Sequence, residues 1–259
     1  MSDVLVTQVG SVLEILFNRP EKKNALTGAM YAAVVAAFHR ADADGSVRVV
    51  LLSGIGDTFT SGNDIKDFQT RAAAPDLADG SPMDASPFLS ALSSLATPLV
   101  AAVNGAAIGV GTTMLAHADL VIAARSARFV MPFTSLGLVP EAASSLLFPR
   151  LVGHQRASAL LLLGDPLDAE TAREWGFVNQ VVADEDLMTT ARGVAARLAA
   201  LPPASVRQTK ALIKNGRGDV PGRIAEELVL FRERLRSPEA AEAFRAFTEK
   251  RKPDFSRFA

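Results

Sequence analysis

The feature that most constrains this fold is a pattern in which an apolar run of strand length ends at a glycine. "VRVVLLSG", residues 47–54, is almost continuously apolar, and "LVAAVNG", residues 99–105, repeats the arrangement. Such runs are typical of parallel strands that are buried on both faces. The second run leads through "GAAIGVG" into a helical pattern and then into further strands. This alternation predicts an α/β fold of repeated βα units around a mostly parallel sheet.

The two ends of the chain differ in their predicted structure. "VLVTQVG" and "VLEILFN" flank Gly10 and Ser11 and predict a β-hairpin. Thr27 is a candidate N-cap for a helix. After about Pro140 helical patterns dominate, with "FVNQVV" as the last strand. We therefore expect a core over residues 1–201 and a helical region over 202–259 that packs on the core and on a neighbouring subunit.

Composition argues against several classes of protein. A net charge of −1 does not fit the basic face of a nucleic-acid binder. The chain has no cysteine, and its three histidines are widely spaced, so we expect no metal site. No apolar run reaches the roughly 18 residues of a membrane span. The first residues lack the features of a signal peptide and the end, "SRFA", is not a peroxisomal address, so we expect a cytoplasmic protein.

Two glycine-containing turns are candidates for a binding site. "VNGAAIGVGTT" ends a strand and begins a helix, where unpaired N–H groups favour negative charge. A dinucleotide fingerprint fails there, because Met114 occupies the place of its last glycine. "TFTSGNDIKDF" carries turn residues from Ser61 to Asp64. Two amides from separate turns, aimed at one carbonyl oxygen, would form an oxyanion hole; plain turns without a ligand are the alternative.

Five stretches together resemble the enoyl-CoA hydratase/isomerase (crotonase) superfamily. They are "NRPEKKNALT", "TFTSGNDIKDF", "PLVAAVNGAAIGVG", "LLLGDPLDAETAREWGFVNQVV" and "FTEKRKPDF". The resemblance covers nearly the whole chain, in order. It implies a crotonase-like fold of repeated ββα units with a helical C-terminal region, assembled as homotrimers or as hexamers (dimers of trimers). It also implies an acyl-CoA thioester as substrate, with no further cofactor.

The same resemblance implies roles for individual residues. The backbone N–H groups of Asn63 and Val110 would hold the thioester oxygen. Coenzyme A would lie along two segments near the turns, with the C-terminal segment of a neighbouring subunit reaching it. The residues expected to contact it are Lys22, Asn24, Ala25, Leu26, Ser61, Gly62, Asp64, Ile65, Lys66, Gly109, Phe247 and Lys250.

The acid/base residues distinguish reactions within this superfamily. Hydratases carry two glutamates, and the corresponding positions here are Thr113 and Phe133. "MPFTSLGLVPEAASSLLFP" resembles the equivalent segment of peroxisomal-type Δ3,Δ2-enoyl-CoA isomerases, whose single catalytic glutamate falls at Glu141. A carboxylate among apolar residues is desolvated, which makes it a better base near neutral pH. The alternative is a carboxylate at a helix N-terminus that faces solvent.

The sequence therefore predicts an enoyl-CoA isomerase of fatty-acid β-oxidation, in which Glu141 is the only acid/base. It moves a 3-enoyl-CoA double bond to the 2-position through a dienolate. Hydration, or another CoA-thioester reaction on the same fold, is one alternative. A non-catalytic CoA-binding or RNA-associated protein is the other. Acyl-chain length stays open.

Overall fold

A computed structural model describes residues 2–64 and 85–258 and arranges the strands in two sheets. The strands are β1 (Val4–Val9), β2 (Val12–Phe17), β3 (Val49–Gly54), β4 (Thr58–Thr60), β5 (Leu99–Val103), β6 (Ala106–Ile108), β7 (Leu120–Ala124), β8 (Arg128–Val130), β9 (Leu167–Asp168) and β10 (Gln180–Val182). The α-helices are α1 (Gly28–Ala43), α2 (Ser86–Ser94), α3 (Val110–Thr113), α4 (Ser144–Val152), α5 (His154–Ser158), α6 (Ala169–Glu174), α7 (Leu187–Ala199), α8 (Pro203–Asn215), α9 (Val220–Leu235) and α10 (Pro238–Thr248).

The large sheet has the strand order β1-β2-β3-β5-β7-β10. β1 and β2 form the predicted antiparallel hairpin, and every other neighbouring pair in this sheet is parallel. The small sheet has the order β4-β6-β8-β9 and is parallel except at β9. β3, β5 and β7 each lead directly into a strand of the small sheet. The predicted α/β fold of ββα units is thereby confirmed.

The continuous apolar run of β3 follows from burial on both faces of the large sheet. Val49 and Leu51 pack against α7, whereas Val50 and Leu52 belong to the main core on the opposite face. Successive strand residues point to opposite faces, so both sets must be apolar. α7 meets the sheet through small side chains at helical spacing, namely Ala191, Ala195 and Ala199. The prediction of buried parallel strands is correct for this reason.

Short elements were predicted less well. β4 lies at the start of "TFTSGNDIKDF", for which only a turn is expected, and β6 lies inside the expected glycine-rich turn "GAAIGVG". A strand of three residues is too short to show an alternating pattern in sequence. The helical pattern expected after about Pro140 begins as a helix only at Ser144, because Ala142 and Ala143 have left-handed backbone angles.

The C-terminal helices pack on the main core of the same chain. Arg234 in α9 donates a hydrogen bond from Nε to the Gly137 carbonyl at 3.2 Å. Gly137 also approaches α10 so closely that a Cβ placed there would lie 2.7 Å from the Ala240 nitrogen. The division at residue 201 stays a prediction. No helix in the described ranges is long and apolar enough to cross a membrane, and the cytoplasmic location stays a prediction.

A buried glutamate in α10 holds the C-terminal segment. Glu242 accepts hydrogen bonds from Arg251 at 2.5 Å, from Arg257 at 2.8 Å and from the backbone N–H of Asp254 at 3.1 Å. The Arg251 guanidinium lowers the pKa of Glu242 to about 2. Part of the "FTEKRKPDF" motif therefore folds back on its own helix.

Candidate active site

Two turns follow neighbouring parallel strands and end at the same edge of the small sheet. β4 pairs with β6 in parallel register, with Thr58 opposite Ala106. The turn from Ser61 to Asp64 follows β4, and the turn at Gly109 and Val110 follows β6. Because the carboxyl ends of parallel strands lie side by side, the two predicted turns are neighbours in space.

Glycine allows the two turns to touch. Gly62 has φ +86°, and a Cβ placed there would lie 2.8 Å from the Ile108 carbonyl oxygen. A Cβ on Gly111 would lie 2.5 Å from Cγ2 of Thr60. Any side chain at either position would have to push the turns apart. Their close approach is therefore specified by the sequence at these two glycines.

The segment around Asn24 fixes the first turn from the other side. Asn24 is fully buried, and its amide nitrogen donates to the carbonyls of Ile55 at 2.9 Å and Thr58 at 2.7 Å. Leu26 forms a parallel bridge with Asn63. The Leu26 N–H donates to the Gly62 carbonyl at 2.8 Å, and the Asp64 N–H donates to the Leu26 carbonyl at 3.0 Å. The Asn63 backbone is thus held between two hydrogen bonds.

Both residues that carry the predicted oxyanion amides border one cavity. Asn63 and Val110 line a cavity of about 540 Å³. Val110 is the first residue of α3, so its N–H has no acceptor within that helix. Across residues 2–64 and 85–258, neither amide donates a hydrogen bond. The Asn63 side chain is oriented by the Tyr31 hydroxyl, which donates to Oδ1 at 2.5 Å.

The cavity has a polar end at the turns and an aromatic end formed by the C-terminal helices. Its lining residues are Lys22, Ala25, Ser61, Gly62, Asn63, Asp64, Ile108, Gly109, Val110, Pro132, Phe133, Leu136, Leu138, Phe231, Phe244 and Phe247. Phe231 lies in α9, and Phe244 and Phe247 lie in α10 of the same chain. The structure thus brings the two predicted oxyanion residues and three phenylalanines to one cavity.

Several predicted coenzyme A contacts fall outside this lining. Asn24 and Leu26 act through the backbone of β4 and of the Asn63 turn, and Lys250 does not border the cavity. Ile65 and Lys66 lie outside the described residues. The other seven predicted contacts, like the two oxyanion residues, line the cavity, with Phe247 contributed by this chain's own α10.

Asp64 borders the cavity, but it has a structural partner. Its Oδ2 accepts a hydrogen bond from Arg19 Nη1 at 2.8 Å, and both side chains are largely buried. Arg19 Nη1 also donates to the Ala25 carbonyl at 3.0 Å. This ion pair ties the lysine-containing segment to the Asn63 turn. A carboxylate engaged in this way is a weak candidate for proton transfer.

Glu141 is buried, with 2% of its surface exposed, and it precedes α4. The alternative of a solvent-facing carboxylate at a helix N-terminus is therefore wrong. Glu141 does not itself border the cavity, although Leu136 and Leu138 of the same segment do. Ala142 and Ala143 follow with φ +61° and +54°. Each such non-glycine residue costs about 1–2 kcal/mol, so the surroundings must hold this turn.

The two positions at which hydratases carry glutamates differ in environment. Thr113 is fully buried in α3, and its hydroxyl lies 3.5 Å from the Val110 carbonyl. Phe133 is buried and lines the cavity, whereas Thr113 does not. Neither side chain can take up or release a proton at neutral pH. The site therefore has no carboxylate at either hydratase position.

His117 is a further buried titratable group near this segment. Its Nε2 lies 2.8 Å from the Ala142 carbonyl. Because a carbonyl oxygen only accepts, Nε2 carries the proton. Burial, helped by the nearby cations Arg217, Lys214 and Lys210, lowers the pKa of His117 from 6.5 to about 4 despite the opposing hydrogen bond to Ala142. The imidazole is therefore neutral at physiological pH.

Because the pKa of His117 is lowered in the folded protein, we expect the folded state to become less stable as the pH falls. Below pH 6.5 the unfolded chain binds a proton at His117 that the folded chain excludes until about pH 4. The free energy of unfolding should therefore fall by about 3 kcal/mol between those pH values, at about 1.4 kcal/mol per pKa unit. Urea unfolding at a series of pH values between 6.5 and 4 measures this free energy. His117→Gln, which lacks the titrating imidazole, is the control. Equal pH dependence in both proteins would contradict the prediction.

The aromatic end of the cavity was not predicted from the sequence. Phe231 and Phe244 lie in amphipathic helices far along the chain from the turns. Helical periodicity predicts that these residues are buried, but it does not predict which part of the molecule they contact. Tyr31, which orients Asn63, was missed for the same reason.

Comparison with known proteins agrees with this geometry. Residues 7–257 match the family described as enoyl-CoA hydratase/isomerase. The chain is 38% identical over 251 residues to the 1,2-epoxyphenylacetyl-CoA isomerase of Escherichia coli K12, covering 95% of each protein. It is 36% identical over 252 residues to enoyl-CoA delta isomerase 2 of Rattus norvegicus, covering 96% of this chain and 64% of that protein.

The fold is also found in solved structures. The crystal structure of an enoyl-CoA hydratase/isomerase from Pseudoalteromonas atlantica T6c superposes with a TM-score of 0.91. It is 45% identical and the match covers 98% of this chain and 100% of that one. Relatives that are 38% and 30% identical to this chain are named as hydratases. With its ββα units, its two touching glycine turns and this sequence similarity, the chain belongs to the enoyl-CoA hydratase/isomerase family.

Proposed function

We propose that this protein is a Δ3,Δ2-enoyl-CoA isomerase in which Glu141 is the acid/base. The observation that carries the proposal is the distribution of carboxylates around the cavity. Within the described lining the only carboxylate is Asp64, which is paired with Arg19. Glu141 lies buried in the segment that supplies Leu136 and Leu138 to the wall. A shift of a double bond needs one proton shuttle, whereas hydration needs groups that handle both water and carbon.

The proposed reaction uses only groups of this chain. The thioester oxygen accepts hydrogen bonds from the N–H groups of Asn63 and Val110, which stabilise negative charge on it. Glu141 removes a proton from C2, and the electrons of that C–H bond form the dienolate. The protonated Glu141 then delivers the proton to C4, which leaves the double bond between C2 and C3. No atom is gained or lost, and no redox step occurs.

The cavity supports this assignment of the substrate. Lys22, Ser61 and Gly62 lie at its polar end, where a lysine suits a phosphate of coenzyme A. Phe231, Phe244 and Phe247 form an apolar surface for the acyl chain. The proposal requires the Glu141 carboxylate to reach both C2 and C4 of a thioester bound between these ends.

Trimeric or hexameric assembly and a role in fatty-acid β-oxidation belong to the same proposal. Exposed apolar side chains in and near the C-terminal helices are compatible with subunit contacts; they include Leu201, Leu212, Ile213 and Val229. The chain's own α9 and α10 already border the cavity. In such an assembly, a neighbouring subunit would add residues to the part of the cavity lining that α9 and α10 of this chain already form.

The decisive experiment compares two substrates in parallel. Purified protein is incubated with 3-hexenoyl-CoA and with crotonyl-CoA, and conjugation and hydration are followed separately. We expect 3-hexenoyl-CoA to be converted to the conjugated 2-enoyl thioester, with little hydration of crotonyl-CoA. Faster hydration than isomerisation would favour the hydratase alternative. Binding without either reaction would favour a non-catalytic protein.

A further inference from the structure

The backbone immediately after Glu141 adopts a conformation that its own sequence does not favour. Ala142 and Ala143 are both fully buried and both left-handed. Alanine has no side chain that could compensate such a turn locally, as asparagine can. Two consecutive residues of this kind persist only where other parts of the molecule hold them. Two buried side chains, from different elements, supply that restraint.

His117 holds the turn from the side of the oxyanion turn. Its Nε2–H donates to the Ala142 carbonyl at 2.8 Å. His117 ends a 3₁₀ turn, Met114–His117, that continues directly from α3. The first residue of α3 is Val110, which lines the cavity. One short helical unit thus links the predicted oxyanion amide to the backbone beside Glu141.

Glu227 holds the turn from the C-terminal side. Its Oε1 accepts a hydrogen bond from the Ser145 N–H at 2.9 Å, and the Ala143 backbone interacts with the same carboxyl group. Glu227 is buried in α9, and burial raises its pKa. Phe231, one helical turn later in α9, lines the cavity. The helix that forms part of the acyl surface therefore also restrains the Glu141 segment.

We propose that His117 and Glu227 are positioning residues that fix the Glu141 carboxylate relative to the oxyanion amide of Val110. The inference rests on the proposed role of Glu141. One carboxyl group must reach two carbon atoms of the substrate in turn, so its position is tightly constrained. A misplacement of about 1 Å can lower a catalytic rate about 10²-fold.

The test uses paired substitutions that remove or keep each hydrogen bond. His117→Leu and Glu227→Met remove it with little change in volume, whereas His117→Gln and Glu227→Gln keep a donor and an acceptor. On 3-hexenoyl-CoA we expect the first pair to lower kcat at least tenfold, with KM changed less than about twofold. The glutamine variants should recover most of the parent kcat. Parent-like kcat in folded His117→Leu and Glu227→Met proteins would overturn the inference.

A double-mutant cycle separates positioning from a general structural role. In a Glu141→Gln protein, adding His117→Leu should leave the residual rate unchanged, because the group being positioned is already gone. The same tenfold loss in both backgrounds would overturn the inference. Circular dichroism and thioester binding show whether each variant is folded. Because His117 and Glu227 lie on different elements, the inference can be tested with either variant if the other does not fold. If Glu141→Gln itself keeps the parent rate, the proposed function fails instead.

Discussion

Glu141→Gln is expected to lower the isomerisation rate by about 10²–10⁴-fold, the usual contribution of a positioned acid/base. Glutamine keeps the shape of the side chain but cannot take up the C2 proton. The oxyanion amides and the cavity lining are backbone groups and other side chains, so thioester binding should persist. Steady-state rates on 3-hexenoyl-CoA, together with a binding measurement by calorimetry, check both parts.

The matched control for this substitution is Thr113→Val. Thr113 occupies a hydratase glutamate position but is buried outside the cavity lining, and its hydroxyl makes at most a weak hydrogen bond. Its replacement should change the rate far less than tenfold. A Glu141→Gln protein that isomerises at the parent rate would leave the site without an identified base. The non-catalytic interpretation would then be favoured.

Gly62→Ala should disrupt the contact between the two turns. The added methyl group would lie 2.8 Å from the Ile108 carbonyl oxygen, and φ is +86°. The turn that carries Asn63 must therefore move away from the turn that carries Val110. We expect a loss of about 10²–10³ in kcat, as when an oxyanion donor is removed. Kinetics on 3-hexenoyl-CoA measure the loss of kcat, and thermal unfolding measures the loss of stability.

Gly176→Ala controls for backbone strain alone. Gly176 has φ +82°, nearly the same as Gly62, but an added Cβ would have no neighbour within 4 Å. It also lies outside the cavity lining. Both variants should lose about 1–2 kcal/mol of stability from the left-handed angle, and only Gly62→Ala should lose activity. Equal kcat in the two variants would show that the contact between the turns is not needed.

The main sheet and most helices could be predicted because their burial leaves a recognisable pattern in the sequence, continuous apolar runs in the buried strands and helical spacing of apolar residues in the helices. β3 and β5 are apolar throughout, since both faces of the sheet are covered. Thr27 caps α1 as predicted, accepting a hydrogen bond from the Met30 N–H. β4 and β6 are three residues long and carry no such trace. These short strands are the ones that place the two turns beside each other.

The two glycine turns of the candidate site could be predicted from the sequence, because their backbone angles require particular residues. The parts of the site that depend on contacts between distant segments could not. Gly62 and Gly109 have positive φ angles that other residues avoid, so their places in the sequence are informative. Ala142 and Ala143 adopt the same region without any preference for it. Their conformation depends on His117 and on Glu227, which no local pattern connects to them.

The aromatic wall of the cavity has a consequence for how the protein is made. Asn63 and Val110 are synthesised before Phe231, Phe244 and Phe247, the first of which follows Val110 by 121 residues. Chains grow and begin to fold from the N-terminus at about 5–20 residues per second. For several seconds the growing chain therefore holds the turns without the wall. A nascent chain that stalls before α10 would present this apolar pocket uncovered to chaperones.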